Sequence, residues 1–181
     1  EKRFPYRNTI RRIWSSCYED EMLNFYMDEI ILNNHNKEEY PPAHTAEHLL
    51  NQVMAQIFGC ERSYNAHIEM KKSKMSFYLS QKPSRHEEKM IERMMNEKIA
   101  EDLPVTFEFL TRDDIPEHVK LNRLPEDVSE TVRLVRIGDF DVCPCIGKHV
   151  RSTSQIGKFE LLGTNWDEQQ HSFRVRFKVI S

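Results

Sequence analysis

The sequence predicts an α+β fold, an antiparallel sheet with helices packed on one face. Three observations carry this. Apolar residues recur at helical spacing through residues 43–58 and 84–99, and apolar and polar residues alternate with period two through 105–109 and 172–180. Helix-like and strand-like stretches also interleave without a repeating strand–helix–strand unit, which argues against a parallel sheet. A chain of 181 residues, 39% hydrophobic and 10% aromatic, can bury one good core. The expected organisation is an N-terminal helical extension over residues 1–40 packed on a main domain over 41–181.

Taken in order, residues 9–33 read as a helix whose apolar surface is Ile10, Ile13, Trp14, Cys17, Leu23, Phe25, Ile30 and Ile31. Pro41-Pro42 then breaks the chain before a second helix, which Gly59 closes at its C′ position. Residues 66–80 read as two strands turning at Lys72-Ser73. In the next helix Ser84 and Glu87 form a capping box, Met90, Ile91, Met94, Met95 and Ile99 make an apolar stripe suited to core filling, and Pro104 stops the chain. Val105, Phe107 and Phe109 alternate as a strand, Asp113 to Lys120 reads as a short helix, and Thr131–Ile137, Lys158–Leu162 and Ser172–Ile180 read as further strands. In the last of these, Phe173, Val175, Phe177 and Val179 alternate with Ser172, Arg174, Arg176 and Lys178, cations of the kind that guard an edge strand against aggregation.

The chemistry is concentrated in two distant segments, His44-Thr-Ala-Glu47-His48 on the second helix and Cys145-Ile-Gly147-Lys148-His149 far downstream. Histidines four apart sit one above the other on a helix face, so their imidazoles can converge on one ion. A Cys/His pair would add one sulfur and a third nitrogen, a donor set suited to Zn²⁺. At about 100° per residue Ala46, Leu49, Leu50, Val53, Met54, Ile57 and Phe58 form one apolar arc, and His44 and His48 fall almost opposite its centre beside Asn51 and Ala55. One face is expected to pack and the other to be free to hold something. Cys143 is not expected to be a ligand, since it would need a wider loop containing Pro144. Of the remaining histidines His67 is the one expected nearest to this helix.

The formal charge of −3 does not suggest a general nucleic-acid binder, so any contact with RNA has to come from local patches. Three are present: Arg7, Arg11 and Arg12; Lys71, Lys72 and Lys74; and Arg174, Arg176 and Lys178. No apolar run approaches membrane-spanning length and no secretory signal opens the sequence, so a cytoplasmic protein is expected. Cysteine usage agrees, because Cys17 and Cys60 stand alone and Cys143-Pro-Cys145 is too tight for an easy disulfide.

His44-Thr-Ala-x-His48-Leu-Leu, Arg136-Ile-Gly-Asp-Phe-Asp, Pro144-Cys145-x-Gly-x-His149-Val and Ile156-Gly157 before a strand follow one another in an order that resembles the trans-editing proteins related to alanyl-tRNA synthetase. Their zinc-binding second additional domain is shared with threonyl-tRNA synthetase. The resemblance runs from about His44 to the C-terminus. It implies zinc-dependent hydrolysis, in trans, of the ester joining serine or glycine to alanine tRNA, with His44, His48, Cys145 and His149 as the metal ligands. In that reading backbone amides near Gly147 stabilise the oxyanion and Lys148 reaches phosphate or ester oxygen. Two departures bear on specificity: residues 1–40 contain no glycine where the family carries a glycine-rich loop on a β-barrel, and Lys148 stands where the family has threonine.

Two other readings compete. One is a zinc-stabilised tRNA- or protein-binding module without catalysis. The other takes His44-Thr-Ala-Glu47-His48 as H-x-x-E-H, the signature of an inverted zinc protease with Glu47 as general base, or as the similar helix of an S-ribosylhomocysteine lyase. The expected partner is tRNA, with no ATP, because the chain has no glycine-rich phosphate loop, and with no membrane.

Overall fold

The structure, a computed structural model, describes residues 40–115 and 131–181. The helix expected over 9–33, the Arg7, Arg11 and Arg12 patch and most of the helix expected from Asp113 lie outside the described residues. Within them the fold is α+β, with two helices, α1 Pro41–Phe58 and α2 Arg85–Ala100, and seven strands that all pair antiparallel. The strands are β1 Asn65–His67, β2 Ser73–Tyr78, β3 Val105–Thr111, β4 Thr131–Ile137, β5 Asp141–Pro144, β6 Lys158–Asp167 and β7 Ser172–Ile180. Where a single sheet was expected they sort into two, a four-stranded sheet in the order β1-β2-β7-β6 and a three-stranded sheet in the order β3-β4-β5. Among the described residues no helix is long and apolar enough to cross a membrane.

Each helix follows from its local chemistry. Pro41 and Pro42 occupy the first helical positions of α1 instead of breaking the chain ahead of it, since a proline at N1 loses only an amide that the helix leaves unpaired. Gly59 closes α1 in the left-handed conformation, and its amide donates to the Ala55 carbonyl at 2.8 Å. Helix α2 begins on the reciprocal Ser84/Glu87 capping box that the sequence predicts. Along α2, Glu88, Glu92 and Asn96 are spaced by four, and together they seal the free edge of β6. Asn96 both donates to the Phe159 carbonyl and accepts the Phe159 amide, each at 3.0 Å. Glu92 accepts the Leu161 amide at 3.1 Å, and Glu88 accepts the Thr164 hydroxyl at 2.7 Å. Asn96 and Glu92 thus satisfy backbone groups that an open edge strand would leave to a stray partner.

One core joins both helices to both sheets. Leu49, Leu50, Val53 and Met54 of α1 and Ile91, Met95 and Ile99 of α2 pack with Met75 and Phe77 of β2, Phe159 of β6 and Phe173, Val175 and Phe177 of β7. Val135 and Ile137 of β4 belong to the same cluster. The strand β5 was not expected from the sequence: four residues that follow a tight turn and end in proline carry no alternation long enough to read, and proline is tolerated there because β5 is an edge strand. Strand β7 lies inside its sheet between β2 and β6, so its outward cations do not guard an edge.

Gly157 tests this packing. It has φ +82, and a Cβ built there would stand 2.1 Å from the Ile180 carbonyl oxygen, a backbone atom that cannot move aside. Gly59 shares the positive φ, +64, but has open space around it. Gly157→Ala should therefore cost about 3 kcal/mol or more, against about 1 kcal/mol for Gly59→Ala. Denaturant unfolding of both variants measures the difference, and equal costs would contradict this account of the β6–β7 junction.

Candidate metal centre

The face of α1 opposite its apolar arc is not free, as the sequence suggests, but covered. Thr45, His48 and Asn51 are buried there, with His48 only 4% exposed, because β5 and the segment after it lie across them. The Ile-Gly-Asp-Phe-Asp motif is the hairpin that brings this about. A three-residue turn at Gly138, Asp139 and Phe140 joins β4 to β5, and β5 presents Asp141 and Cys143 on one side at period two. Arg133 of β4 then shapes the segment that follows. Its Nε donates to the Cys145 carbonyl at 2.8 Å, a terminal nitrogen donates to the Gly147 carbonyl, and the guanidinium lies 4.6 Å from the centre of the Phe107 ring.

The result brings His44, His48, Cys145 and His149 together, each offering one donor atom within 4.8 Å of all the others. His44 Nε2 lies 3.3 Å and His149 Nε2 3.4 Å from Cys145 Sγ. A tetrahedron with Zn–N of about 2.05 Å and Zn–S of about 2.3 Å has N···S edges of about 3.5 Å, so these separations fit the donor set.

Two of the three imidazoles also have their tautomers fixed for such a role. The Thr45 hydroxyl donates its only proton to the Pro41 carbonyl at 2.9 Å, so at 3.1 Å from His149 Nδ1 it can only accept. His149 therefore carries its proton on Nδ1 and turns the Nε2 lone pair toward Cys145. His48 Nδ1 faces Asp141 Oδ2 at 3.5 Å and Cys143 Sγ at 3.2 Å, which leaves Nε2 for the cluster. Asp141 is in turn gripped by Arg62, at 2.7 Å to Oδ1 and 3.2 Å to Oδ2. A carboxylate or hydroxyl behind each imidazole is the usual support of a metal-binding histidine.

Electrostatics follow the same geometry. Burial pushes the Cys145 thiol up, but its close contacts with the His149, His44 and His48 rings outweigh it and bring the group down to about 2. Burial and the neighbouring imidazoles lower His149 to about 4, whereas His44 is raised by Cys145, and His48 is raised well above the ordinary value by Asp141 and the two cysteines, both against the cost of burial. Asp141 is held below the usual carboxylate range, against its burial, by His48 and Arg62.

The other residues singled out in the sequence lie apart from this cluster or at its rim. Glu47 is half-buried and outside the donor group, Gly147 is buried with its carbonyl on Arg133, and Lys148 is exposed. His67 pairs with Glu69 at 2.7 Å on the surface and takes no part. Cys143, set aside as a ligand from its spacing, forms a second close group with His48 and Asp141. Sequence reasoning missed Thr45, Arg62, Arg133 and Asp141 as supports. Asp141 stands two residues before Cys143, but nothing local in the sequence pairs it with His48.

Residues 132–174 match the family described as the threonyl and alanyl tRNA synthetase second additional domain. The chain is related to the alanyl-tRNA synthetases and carries this domain. It is 31% identical over 140 residues to the alanyl-tRNA editing protein AlaX-L of Pyrococcus horikoshii, covering 74% of this chain and 32% of that protein. It is also 31% identical over 136 residues to the alanine–tRNA ligase of Methanococcus vannielii, covering 74% of this chain and 15% of the ligase. The corresponding ligase of Treponema denticola is 30% identical over 117 residues, 64% of this chain and 20% of the ligase. The chain thus spans a third or less of each of these relatives.

The Arg62–Asp141 pair gives a test of the support behind His48. Removing one partner of a buried ion pair strands the other, so Asp141→Ala should cost about 3 kcal/mol at neutral pH. In the wild-type protein the depressed Asp141 contributes stability that is complete above its unfolded value of about 3.9 and is lost as pH falls from there through the folded value. Urea unfolding at pH 7 and under acid checks both. A variant as stable as wild type at pH 7 would remove Asp141 from this role.

Proposed function

We propose that the chain is a zinc-dependent hydrolase that removes serine or glycine in trans from mischarged alanine tRNA. The observation that supports this most is the convergence of three imidazole nitrogens and one thiolate, two of the imidazoles held in the ligating tautomer, in a relative of an alanyl-tRNA editing protein. His44, His48, Cys145 and His149 would hold the ion. A Zn²⁺ so held supplies a fixed Lewis-acid charge beside the ester.

The chain's own residues provide the rest of the site. Hydrolysis adds water across the ester and releases the amino acid and a free ribose hydroxyl, so the site must admit a tRNA 3′ end and one water. His44, Cys145 and His149 are only half-buried, which leaves the cluster open on that side. Phe107, 40% exposed and 6.3 Å from the His149 ring, offers a stacking surface for a terminal base. Lys148 is exposed on the same loop beside Gly147, and in this reading it would meet phosphate or the ester oxygen. The alternative of a zinc-stabilised binding module without chemistry draws on one feature, the full set of four protein donors, which is the pattern of a structural zinc site.

Metal content is expected at one Zn²⁺ per chain, lost in Cys145→Ser and retained in Cys143→Ser. Because His44 and His48 hold protons more tightly than a free histidine, the ion must displace protons near neutral pH. Affinity should therefore rise as pH increases above about 6.5. Metal analysis with a zinc-indicator titration at several pH values reads both. Zinc lost with Cys143 and kept without Cys145 would overturn the ligand set.

For the activity, the zinc-loaded protein should deacylate alanine tRNA charged with serine or glycine, without ATP, and spare the alanine ester. His48→Ala should lower the rate by about 100-fold, as loss of a metal ligand or its support does. Glu47→Gln should change it little, which separates this reading from an H-x-x-E-H protease or lyase, where Glu47 would carry the proton transfer. Failure of the fully loaded protein on every mischarged tRNA would leave the binding module as the reading.

A further inference from the structure

We propose that the outer face of the four-stranded sheet is an RNA-binding surface, on which Lys74, Arg174 and Arg176 take phosphates and Tyr78 stacks a base. The proposal rests on the tRNA reading above and adds the surface that would hold the body of the RNA, away from its 3′ end.

The pairing of β2 with β7 merges two basic segments that are distant in the sequence. Lys74 stands directly opposite Arg176, Ser76 opposite Arg174 and Tyr78 opposite Ser172, so alternate residues of both strands form one outward patch. Since β7 is an internal strand, aggregation control at an edge does not account for its arginines. Both are also seated. Arg174 Nε donates to Ser76 Oγ at 3.4 Å, and Arg176 lies across Gly163 of β6, where a Cβ would come within 3.2 Å of its guanidinium. Among the described residues none of the three cations pairs with a carboxylate. Glu160 on the same face is engaged by Lys178 at 2.9 Å and Lys158 at 3.4 Å.

An acidic partner of either kind would match the charge, and the aromatic pair selects RNA. Tyr78 is 60% exposed, and its ring stacks on Tyr64 with centroids 4.1 Å apart and planes 14° from parallel, while the Tyr64 hydroxyl is anchored on Ser172 Oγ at 2.6 Å. A fixed ring beside fixed cations is the combination that binds bases and backbone together. The opposite face of this sheet packs on α1, whose far side carries His44 and His48, so this surface and the donor cluster are separated by the helix. The two can be tested apart.

The test measures binding of uncharged tRNA to the full chain by fluorescence anisotropy across a salt series, beside hydrolysis of a short aminoacyl ester that cannot reach the sheet. Arg174→Gln combined with Arg176→Gln should weaken tRNA binding about tenfold and flatten the dependence of log K on log salt by about 1.5, with zinc content and short-ester hydrolysis unchanged. Tyr78→Ala should weaken binding severalfold without changing that slope, and Lys89→Gln, an exposed cation on α2, should do neither. A double variant with wild-type affinity and slope overturns the surface, whether or not the ester is cleaved, as does a wild-type protein that binds no tRNA. Binding that depends on the arginines in a protein that cleaves no ester would uphold the surface and remove the hydrolase reading instead.

Discussion

Helix α1 is buried on two sides at once, and the placement of both sheets follows from it. Its apolar arc packs against β2 and β7, while Thr45, His48 and Asn51 on the other side are covered by β5 and the Cys145–His149 segment. A helix face that carries polar groups can be buried only if each finds a partner, because an unpaired polar group in the interior costs about 1–3 kcal/mol. Here each does. Asn51 accepts the Ser63 amide at 2.7 Å and donates to the Glu47 carbonyl at 3.1 Å, and Thr45 accepts the Val150 amide at 3.2 Å as well as serving Pro41 and His149. The same contacts that make this burial tolerable also bring the downstream cysteine and histidine against the helix.

Charge at the cluster is arranged in the same economical way. Three imidazoles close to one thiolate cannot all be protonated without repelling one another, and His149 gives way, at about 4, while His48 keeps its proton between Asp141 and the cysteines. The carboxylate that holds His48 is itself held by Arg62, so the buried acid is compensated from two sides and remains ionised. Divalent metal and proton compete for the same lone pairs in such a cluster, which ties its affinity for one to its release of the other.

The parts of this arrangement that were legible in the sequence are those encoded over one short stretch. The capping box of α2, the glycine that ends α1, the strands β4 and β7 and the H-x-x-x-H spacing each rest on residues within a turn or two of one another. What was not legible depends on contacts between segments. Nothing local marks β5 as a strand, and without β5 the pairing of Asp141 with His48, 93 positions away, has no signal. The helical wheel of α1 shows which residues oppose the apolar arc but not that a second layer covers them, so a buried face was read as a free one. The alternation in β7 was read correctly, and its edge position wrongly, because the order of strands is a property of the whole sheet.

The long separation between the two donor segments bears on what a metal would add. His44 and Cys145 lie 101 positions apart, and an ion joining them in an otherwise open chain would have to offset the entropy of closing that whole loop. In this fold the closure is made by other means: Thr45 binds His149 and Val150, Asp141 and Cys143 meet His48, and Val135 and Ile137 of β4 share the core with α1. An ion held by the four donors would add to links that the protein's own contacts also make between these segments, whereas in a zinc finger the binding energy of the ion is the folding energy. It would also tie together His44 and His149, the two half-buried imidazoles at the rim of the cluster.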